Sequence, residues 1–149
     1  MTGELAIPGQ LPAEGGCLCG AIRYRISGPP IALTICHCRT CQLAAGAATV
    51  AWTDVLSRDF SLVAGAPSEH ESSPGVLRGF CAACGTPLTY RRTAQPDRID
   101  VTTVSLDRPQ DFAPTKEIWV SHRIAWETTN PGLPQYPGSS VGTNPGKQA

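Results

Sequence analysis

The chain has 149 residues, the size of one domain, and Leu, Ile, Val and Phe together account for only 30 of them. Gly and Pro account for 29, which favours short strands and turns and argues against a helical bundle or a coiled coil. The net charge is zero and like charges do not cluster, which argues against nucleic acid and anionic membranes as partners.

The pattern of residues along the chain predicts a mainly β domain with little helix. The clearest strand signal lies at residues 21–27, where Ile22, Tyr24 and Ile26 alternate with polar residues at the period of a half-buried strand. An Ala-rich stretch at residues 42–48 predicts a short helix or turn. Turn residues separate the other predicted strands, which lie at residues 31–35, 49–53, 60–63, 76–80, 88–91, 99–104 and 118–120.

The two ends of the chain lack this pattern. We interpret the chain as an N-terminal lead-in at residues 1–13, one domain at residues 14–137 and a flexible tail rich in Pro and Gly at residues 138–149. Aromatic side chains are large contributors to a small core. The tryptophans predicted to lie in the core are Trp52, Trp119 and Trp126.

The sequence also predicts where the protein resides. No apolar stretch approaches the roughly 20 residues of a membrane-spanning helix, and the first residues lack the basic region of a signal peptide. We therefore expect a cytoplasmic protein. In that reducing compartment, clustered cysteines more often bind metals or catalyse reactions than form disulfides. No heptad repeat or long amphipathic face predicts an oligomeric state.

Seven cysteines fall into three groups, two of which are pairs. Cys81 and Cys84 are separated by two residues and followed by Gly85, the arrangement in which a turn points two sulfurs at one metal ion. Cys17 and Cys19 also present two sulfurs on a tight turn and need a second pair to complete a tetrahedron. The spacing therefore predicts a closed four-thiolate metal site. The alternative is a pair of buried disulfides, or thiols without a metal.

The third group, Cys36, Cys38 and Cys41, is close enough in sequence to hold one ion as a tripod. Three protein ligands leave the fourth tetrahedral position open, as in catalytic zinc sites. The alternative is a structural metal whose fourth ligand is His37 or a water molecule, although an extended backbone would point His37 away from the metal. Thiolates favour zinc over magnesium or calcium and are also compatible with iron.

The cysteines belong to longer motifs whose order and spacing are specific. The motifs are Gly-Cys-Leu-Cys-Gly at residues 16–20, Cys-His-Cys-Arg-Thr-Cys at residues 36–41, Phe-Cys-Ala-Ala-Cys-Gly-Thr-Pro-Leu at residues 80–88, and a trailing Pro114, Ile118 and Trp126. By these motifs the chain resembles the glutathione-dependent formaldehyde-activating enzyme (GFA) family. The resemblance covers roughly residues 14–137.

This resemblance implies a fold, a set of ligands and an activity. The implied fold is Mss4-like, with several short coiled antiparallel β-sheets held by zinc, and is shared with a small class of guanine-nucleotide-exchange chaperones. The implied activity is that of a carbon–sulfur lyase, the reversible joining of formaldehyde to glutathione. Two zinc ions per chain are implied, a structural ion on Cys17, Cys19, Cys81 and Cys84 and a catalytic ion on Cys36, Cys38 and Cys41, which is the division that the spacing predicts.

Four further side chains are candidates for substrate binding or proton transfer. Arg39, inside the tripod motif, and Arg78 are candidate substrate-binding residues that would anchor the carboxylates of a glutathione-like molecule. The alternative is that both arginines are solvated surface residues. His37 and His122 are candidate proton donors to the oxygen of the aldehyde, and His37 could instead hydrogen-bond a ligand residue.

We therefore expect a zinc-dependent carbon–sulfur lyase that acts on adducts of glutathione, or a similar thiol, with formaldehyde or another small aldehyde. The alternative is a non-catalytic zinc protein whose tripod binds a thiol ligand such as glutathione or a protein partner. A third hypothesis is interaction with another macromolecule. The neutral net charge argues against nucleic acid as that partner.

Overall fold

The computed structural model describes residues 11–140. In this part of the chain there are ten strands, one α-helix of seven residues and four short 3-10 helices, which confirms the predicted mainly β class with little helix. In chain order the elements are β1 (Ala13–Gly16), β2 (Arg23–Ile26), β3 (Ala32–Cys36), α1 (Arg39–Ala45), β4 (Val50–Leu56), β5 (Phe60–Ala64), β6 (Ser68–Ser73), β7 (Val76–Phe80), β8 (Pro87–Arg92), β9 (Arg98–Thr102) and β10 (Lys116–Ile118). None of the described helices is long and apolar enough to cross a bilayer.

The chain forms two compact units. The first unit comprises residues 11–32 and 53–113, and the second comprises residues 33–52 and 114–140. Strand β4 begins in the second unit and continues into the first.

A three-stranded sheet in the first unit follows the order β1–β2–β5 and is antiparallel throughout. On β2, Tyr24 and Ile26 are buried, whereas Arg23 faces outward and its guanidinium donates to the carboxylate of Asp107. The alternation that predicts this strand is therefore confirmed. The Tyr24 hydroxyl lies 2.6 Å from Ser105 Oγ, so the polar end of this buried ring has a partner.

The other strands of the first unit follow the order β4–β9–β8–β7–β6. Strand β6 is absent from the sequence prediction because its side chains, from Ser68 to Ser73, are mostly polar and exposed. Backbone pairing with β7 forms this strand without any apolar pattern. The fully buried side chains of the unit are Tyr24, Ile26, Val55, Leu88, Val101 and Phe112, together with Thr53 and Cys81.

The strands of the second unit follow the order β10–β3–β4, and β10 lies parallel to β3. The last strand ends two residues earlier than the sequence predicts, at Ile118 instead of residue 120. The reason is Trp119, whose φ of 56° is left-handed and turns the chain out of the sheet. A short 3-10 helix, Val120–His122, follows directly.

Helix α1 begins at Arg39, three residues before the predicted start. Cys38 is its N-cap, and the Cys38 side chain accepts a hydrogen bond from the backbone N–H of Cys41. The helix ends at Ala45, and its C-cap is Gly46, which has a φ of 65° and whose N–H bonds to the carbonyl of Gln42. The capping sulfur explains the early start, because a cap satisfies a backbone donor that the first turn leaves free.

The three tryptophans differ in burial. Trp52 is buried at 7% exposure, Trp119 is half-buried, and Trp126 is 74% exposed, so the prediction of Trp126 as a core residue is wrong. The loop that carries Trp126 is held instead by Arg123, whose guanidinium donates to the carbonyls of Ile124, Ala125 and Glu127. Hydrogen bonds from one guanidinium group thus hold this loop while the Trp126 side chain stays on the surface.

A strap, residues 130–138, runs along β10 in the second unit. The backbone N–H of Glu117 bonds to the Pro134 carbonyl, and the N–H of Tyr136 bonds to the Glu117 carbonyl, each at 2.9 Å. The Gly138 carbonyl accepts from the N–H of Trp119. Residues 1–10 of the predicted lead-in and residues 141–149 of the predicted tail lie outside the described residues, while Ala13 already belongs to β1.

Replacement of Ile26 by Ala tests the small core of the first unit. Ile26 has no solvent exposure, so Ile26→Ala is expected to lower the free energy of unfolding by about 2–5 kcal/mol. Ile31→Ala is the matched control, because Ile31 is 39% exposed and its truncation leaves no sealed cavity. Chemical denaturation of the metal-loaded protein measures both values. Equal losses in the two variants would contradict the placement of Ile26.

Candidate metal centres

The four-cysteine cluster, Cys17, Cys19, Cys81 and Cys84, lies in the first unit on two turns. The four sulfurs all lie within 4.8 Å of one another, with Cys19 Sγ 3.6 Å from Cys17 Sγ and 3.8 Å from Cys81 Sγ. The structure thus brings together the two pairs that the spacing grouped. Four converging thiols form a closed tetrahedral set of soft donors, which fits zinc.

Each of these turns is closed by a glycine. Gly20 has a φ of 81° and its N–H bonds to the Cys17 carbonyl at 3.1 Å, while Gly85 has a φ of 82° and its N–H bonds to the Cys81 carbonyl at 2.7 Å. These left-handed values favour glycine over any residue with a Cβ. Glycine therefore lets each turn fold tightly enough to aim its sulfurs at a common point.

Thr86 connects the two turns. Its hydroxyl accepts a hydrogen bond from the N–H of Leu18 at 3.0 Å and lies 3.2 Å from Cys84 Sγ. Hydrogen bonding to the Thr86 hydroxyl and N–H lowers the pKa of Cys84 from the usual 9.0 to about 5. The N–H of Ile22 donates to Cys17 Sγ at 3.3 Å and lowers the pKa of Cys17. Both thiols are therefore biased towards the thiolate, the form that binds metals.

The tripod, Cys36, Cys38 and Cys41, lies in the second unit between β3 and α1. Cys36 is the last residue of β3 and pairs with Ile118 of β10. Cys38 caps α1, with its Sγ 3.4 Å from the N–H nitrogen of Cys41 in the first helical turn. A strand end, a cap and a helix turn thus position three sulfurs within 4.8 Å of one another.

Burial and charge together shape what the tripod can bind. Cys36 and Cys41 are buried, and Cys38 is half-buried. Hydrogen bonds to the thiols of Cys38 and Cys41, together with burial, raise the pKa of Cys36, because three thiolates this close would repel one another. A soft divalent cation removes this repulsion and favours the thiolates. Three thiols therefore fit a metal ion that keeps its fourth position free for another ligand.

His37 is directed towards Glu117 of β10. His37 Nε2 and Glu117 Oε1 are 2.6 Å apart, and both side chains are almost completely buried. Since a carboxylate accepts, the imidazole donates from Nε2. Among the described residues, Nδ1 of His37 has no hydrogen-bond partner, and the imidazole is not part of the group of converging ligand atoms.

Glu117 accepts hydrogen bonds on both carboxylate oxygens. Oε2 accepts from the N–H of Asn130 at 2.5 Å and lies 3.4 Å from Nε2 of Gln135. Burial alone would raise the pKa of Glu117, but the hydrogen bonds from His37, Asn130 and Gln135 lower it below its ordinary value. Glu117 is therefore a buried, ionised carboxylate next to the segment that carries the tripod.

Gln42 forms hydrogen bonds with the three remaining candidate residues of the second unit. Its side-chain amide donates to the His37 carbonyl at 2.8 Å and lies 3.3 Å from the His122 carbonyl, and its Oε1 accepts from Arg39 at 3.2 Å. Arg39 and His122 are both exposed, and the His122 ring stands 5.2 Å from the ring of Trp119. The structure thus places the Arg39 side chain and the backbone of His122 beside Gln42, the residue that follows Cys41.

Arg78 lies in the first unit on β7. Its Nε donates to Ser72 Oγ at 2.9 Å, and its guanidinium lies 5.1 Å from the centre of the Tyr90 ring. This arginine is therefore packed against its own sheet, and its role towards a substrate stays a prediction.

Sequence reasoning missed Glu117 and Gln42. Gln42 lies in the stretch predicted to be helical, where a polar residue is expected to face solvent. Its exposure is nevertheless only 4%. Glu117 is buried at 2% because β10 pairs with β3, and this pairing joins segments about 80 residues apart. The signal that could have pointed to it was a charged residue directly before the predicted strand at residues 118–120.

A family model described as glutathione-dependent formaldehyde-activating enzyme matches residues 12–122, which contain both cysteine clusters. The chain belongs to this family. It is 36% identical over 105 residues to a Halomonas elongata protein provisionally named as a glutathione-dependent formaldehyde-activating enzyme. That alignment covers 63% of this chain and 65% of the relative, so the chain spans slightly under two thirds of the relative's length.

A solved structure resembles the fold. The crystal structure of a Rhodobacter sphaeroides protein matches with a TM-score of 0.53 at 19% identity, over 63% of this chain and 87% of that chain. At this identity the likeness concerns the fold alone.

Single replacements in each cluster of this GFA-family chain should separate the two metal sites. We expect two metal ions per wild-type chain and one in each of Cys81→Ser and Cys41→Ser, because a lost thiolate opens either ligand set. Cys81→Ser should also lower the midpoint of thermal unfolding more, since a closed site contributes directly to folding. Native mass spectrometry of protein purified under reducing conditions gives the metal count. Retention of both ions in either variant would contradict the assignment.

Proposed function

We propose that this GFA-family protein is a zinc-dependent carbon–sulfur lyase that acts on adducts of glutathione, or a similar thiol, with formaldehyde or another small aldehyde. The observation that carries the proposal is the tripod, in which three thiols converge within 4.8 Å while the neighbouring imidazole is held by Glu117. The family description and the name of the Halomonas elongata relative support the substrate class.

The proposed reaction forms or breaks one carbon–sulfur bond. In the direction of synthesis, the sulfur lone pair of the thiolate attacks the carbonyl carbon, and the carbonyl π electrons move to oxygen, which takes up a proton. In the lyase direction the hydroxyl loses its proton, the carbonyl re-forms and the thiolate leaves. Zinc held by Cys36, Cys38 and Cys41 would supply a positive charge that favours the thiolate form of the substrate sulfur.

Two exposed side chains of the second unit supply the other functions in this proposal. The exposed guanidinium of Arg39 binds a carboxylate of the thiol substrate, as a planar donor suited to that group. His122 transfers the proton to and from the aldehyde oxygen. His122 is preferred over His37 because it is exposed, whereas the His37 side chain is fully buried and bonded to Glu117.

The same proposal places the protein in the cytoplasm. All seven cysteines lie in the described part of the chain, and none of them forms a disulfide there. Thiols that must remain reduced to bind a metal suit a reducing compartment.

Turnover by a tripod variant tests the proposed activity. Wild-type protein should accelerate the exchange between free glutathione, formaldehyde and their adduct in a saturable manner, while Cys38→Ser should leave the uncatalysed rate. Exchange NMR at equilibrium measures this rate, with the protein-free rate subtracted. Unchanged turnover in Cys38→Ser after loss of the tripod metal would refute the proposal. Saturable binding of glutathione without acceleration would instead favour the non-catalytic thiol-binding protein.

Replacement of His122 tests the proton transfer. His122→Gln should lower kcat by about 100-fold with little change in KM, since general acid–base catalysis contributes at least that factor. His70→Gln is the matched control, because His70 is an exposed histidine on β6 of the first unit. Steady-state kinetics of both variants gives the comparison. An unchanged kcat in His122→Gln would exclude this role.

A further inference from the structure

The buried carboxylate of Glu117 touches two separate parts of the second unit. On one side, Oε1 binds His37, which lies between the tripod residues Cys36 and Cys38. On the other side, Oε2 binds the N–H of Asn130 and the side chain of Gln135, both in the strap. We propose that Glu117 is a positioning residue that couples the tripod to the strap, and that the tripod metal site depends on the strap for its geometry.

The first half of this coupling is the set of hydrogen bonds that fixes His37. Its backbone N–H bonds to the Ile118 carbonyl at 3.0 Å, its carbonyl accepts from Gln42 at 2.8 Å, and its side chain bonds to Glu117. The peptide units between Cys36 and Cys38 are therefore fixed by their neighbours. Residues that orient a ligand segment in this way tune metal affinity without touching the metal.

The second half of this coupling is the set of contacts that holds Glu117 in place. One edge of β10 pairs with β3, and on its other edge the strap forms backbone hydrogen bonds, including a parallel bridge between Glu117 and Gln135. The carboxylate loses its contact with water, so its charge depends on donors from both sides. Loss of the strap donors would leave an uncompensated charge one hydrogen bond away from the tripod segment.

This arrangement assigns a role to residues outside the family match. The match ends at residue 122, whereas the two strap donors to Glu117 are Asn130 and Gln135. The strap would thus complete a metal centre whose ligands all lie within the matched region. The inference rests on the proposed function in one respect, the binding of a metal ion by the tripod.

Zinc release to a chromophoric chelator tests the coupling. Wild-type protein loaded with two zinc ions should release them in two phases, and the phase that is missing in Cys41→Ser belongs to the tripod. In Glu117→Gln the tripod phase should be about tenfold faster or more, while the phase of the four-cysteine cluster changes less than about twofold. The reason is that an amide has one oxygen where the carboxylate has two, so its N–H₂ group faces either the N–H donor of Asn130 or His37. His37 Nε2 can accept only if the imidazole moves its proton to Nδ1, which has no partner among the described residues.

Two further variants keep the test decisive if Glu117→Gln does not fold. Gln135→Ala removes a strap donor and leaves the carboxylate in place, and should accelerate the tripod phase about threefold. Glu69→Gln is the matched control, because it breaks an ion pair with Arg91 in the first unit, and should leave both phases unchanged.

A cobalt-loaded protein gives a readout that loss of stability alone would not move. The d–d absorption bands of Co²⁺ in the tripod should shift in Glu117→Gln, since they report ligand geometry. His37→Gln should retain slow zinc release, because glutamine can still donate to Glu117, whereas His37→Ala should release zinc as fast as Glu117→Gln.

The possible results separate this inference from the proposed function. An unchanged tripod phase and an unchanged cobalt spectrum in Glu117→Gln would overturn the coupling and leave the lyase proposal standing. Equal acceleration of both phases would also overturn it, because it would show general destabilisation. A wild-type protein that binds one zinc ion, retained in Cys41→Ser, would overturn the tripod itself and both proposals with it.

Discussion

The convergence of four thiols from two distant turns is the contact on which the first unit depends. The sulfurs of Cys19 and Cys81 meet although 62 residues separate them in the chain. A metal ion at this point would close a long loop, and it would do so in a chain that has few large aliphatic side chains to close it by burial. The two turns that bring the sulfurs together are shaped by Thr86, Gly20 and Gly85.

The tripod follows a different principle from the four-cysteine cluster. Its sulfurs come from one short segment, so it closes no long loop and adds little to the topology of the chain. What it offers is an incomplete set of donors, held by a strand end and a helix start. The segment gains its rigidity from hydrogen bonds made by residues that are not ligands, foremost Gln42 and Glu117. Under the proposed function, the cluster that would stabilise the fold and the tripod that would bind the substrate are therefore separate.

The sequence predicted those features that depend on local spacing. The grouping of the cysteines, the alternation on β2 and the existence of a short helix near residue 42 follow from periods and turns that a few neighbouring residues determine. Membership of the family also followed from the sequence, because the order and spacing of the cysteine motifs are specific.

The features that sequence reasoning missed depend on partners far away in the chain. Glu117 is buried because β10 lies beside β3, and nothing in its own neighbourhood predicts that pairing. Trp126 is exposed in a loop whose carbonyls accept hydrogen bonds from Arg123, a contact that the composition does not reveal. Strand β6 pairs with β7 through its backbone and has no apolar alternation, so a search for apolar periodicity passes over it.

The capping of α1 by Cys38 links helical order to the chemical state of one sulfur. The helix has seven residues, fewer than the roughly 12 that an isolated helix needs, and no acidic residue supports its first turn. Alkylation or oxidation of Cys38 would weaken the cap and at the same time remove a metal ligand. Helix fraying would then release Gln42 from the carbonyls of His37 and His122. Amide hydrogen exchange across Arg39–Ala45 should therefore rise as occupancy of the tripod falls, so the exchange rate of this helix reports damage to the Cys38 thiol.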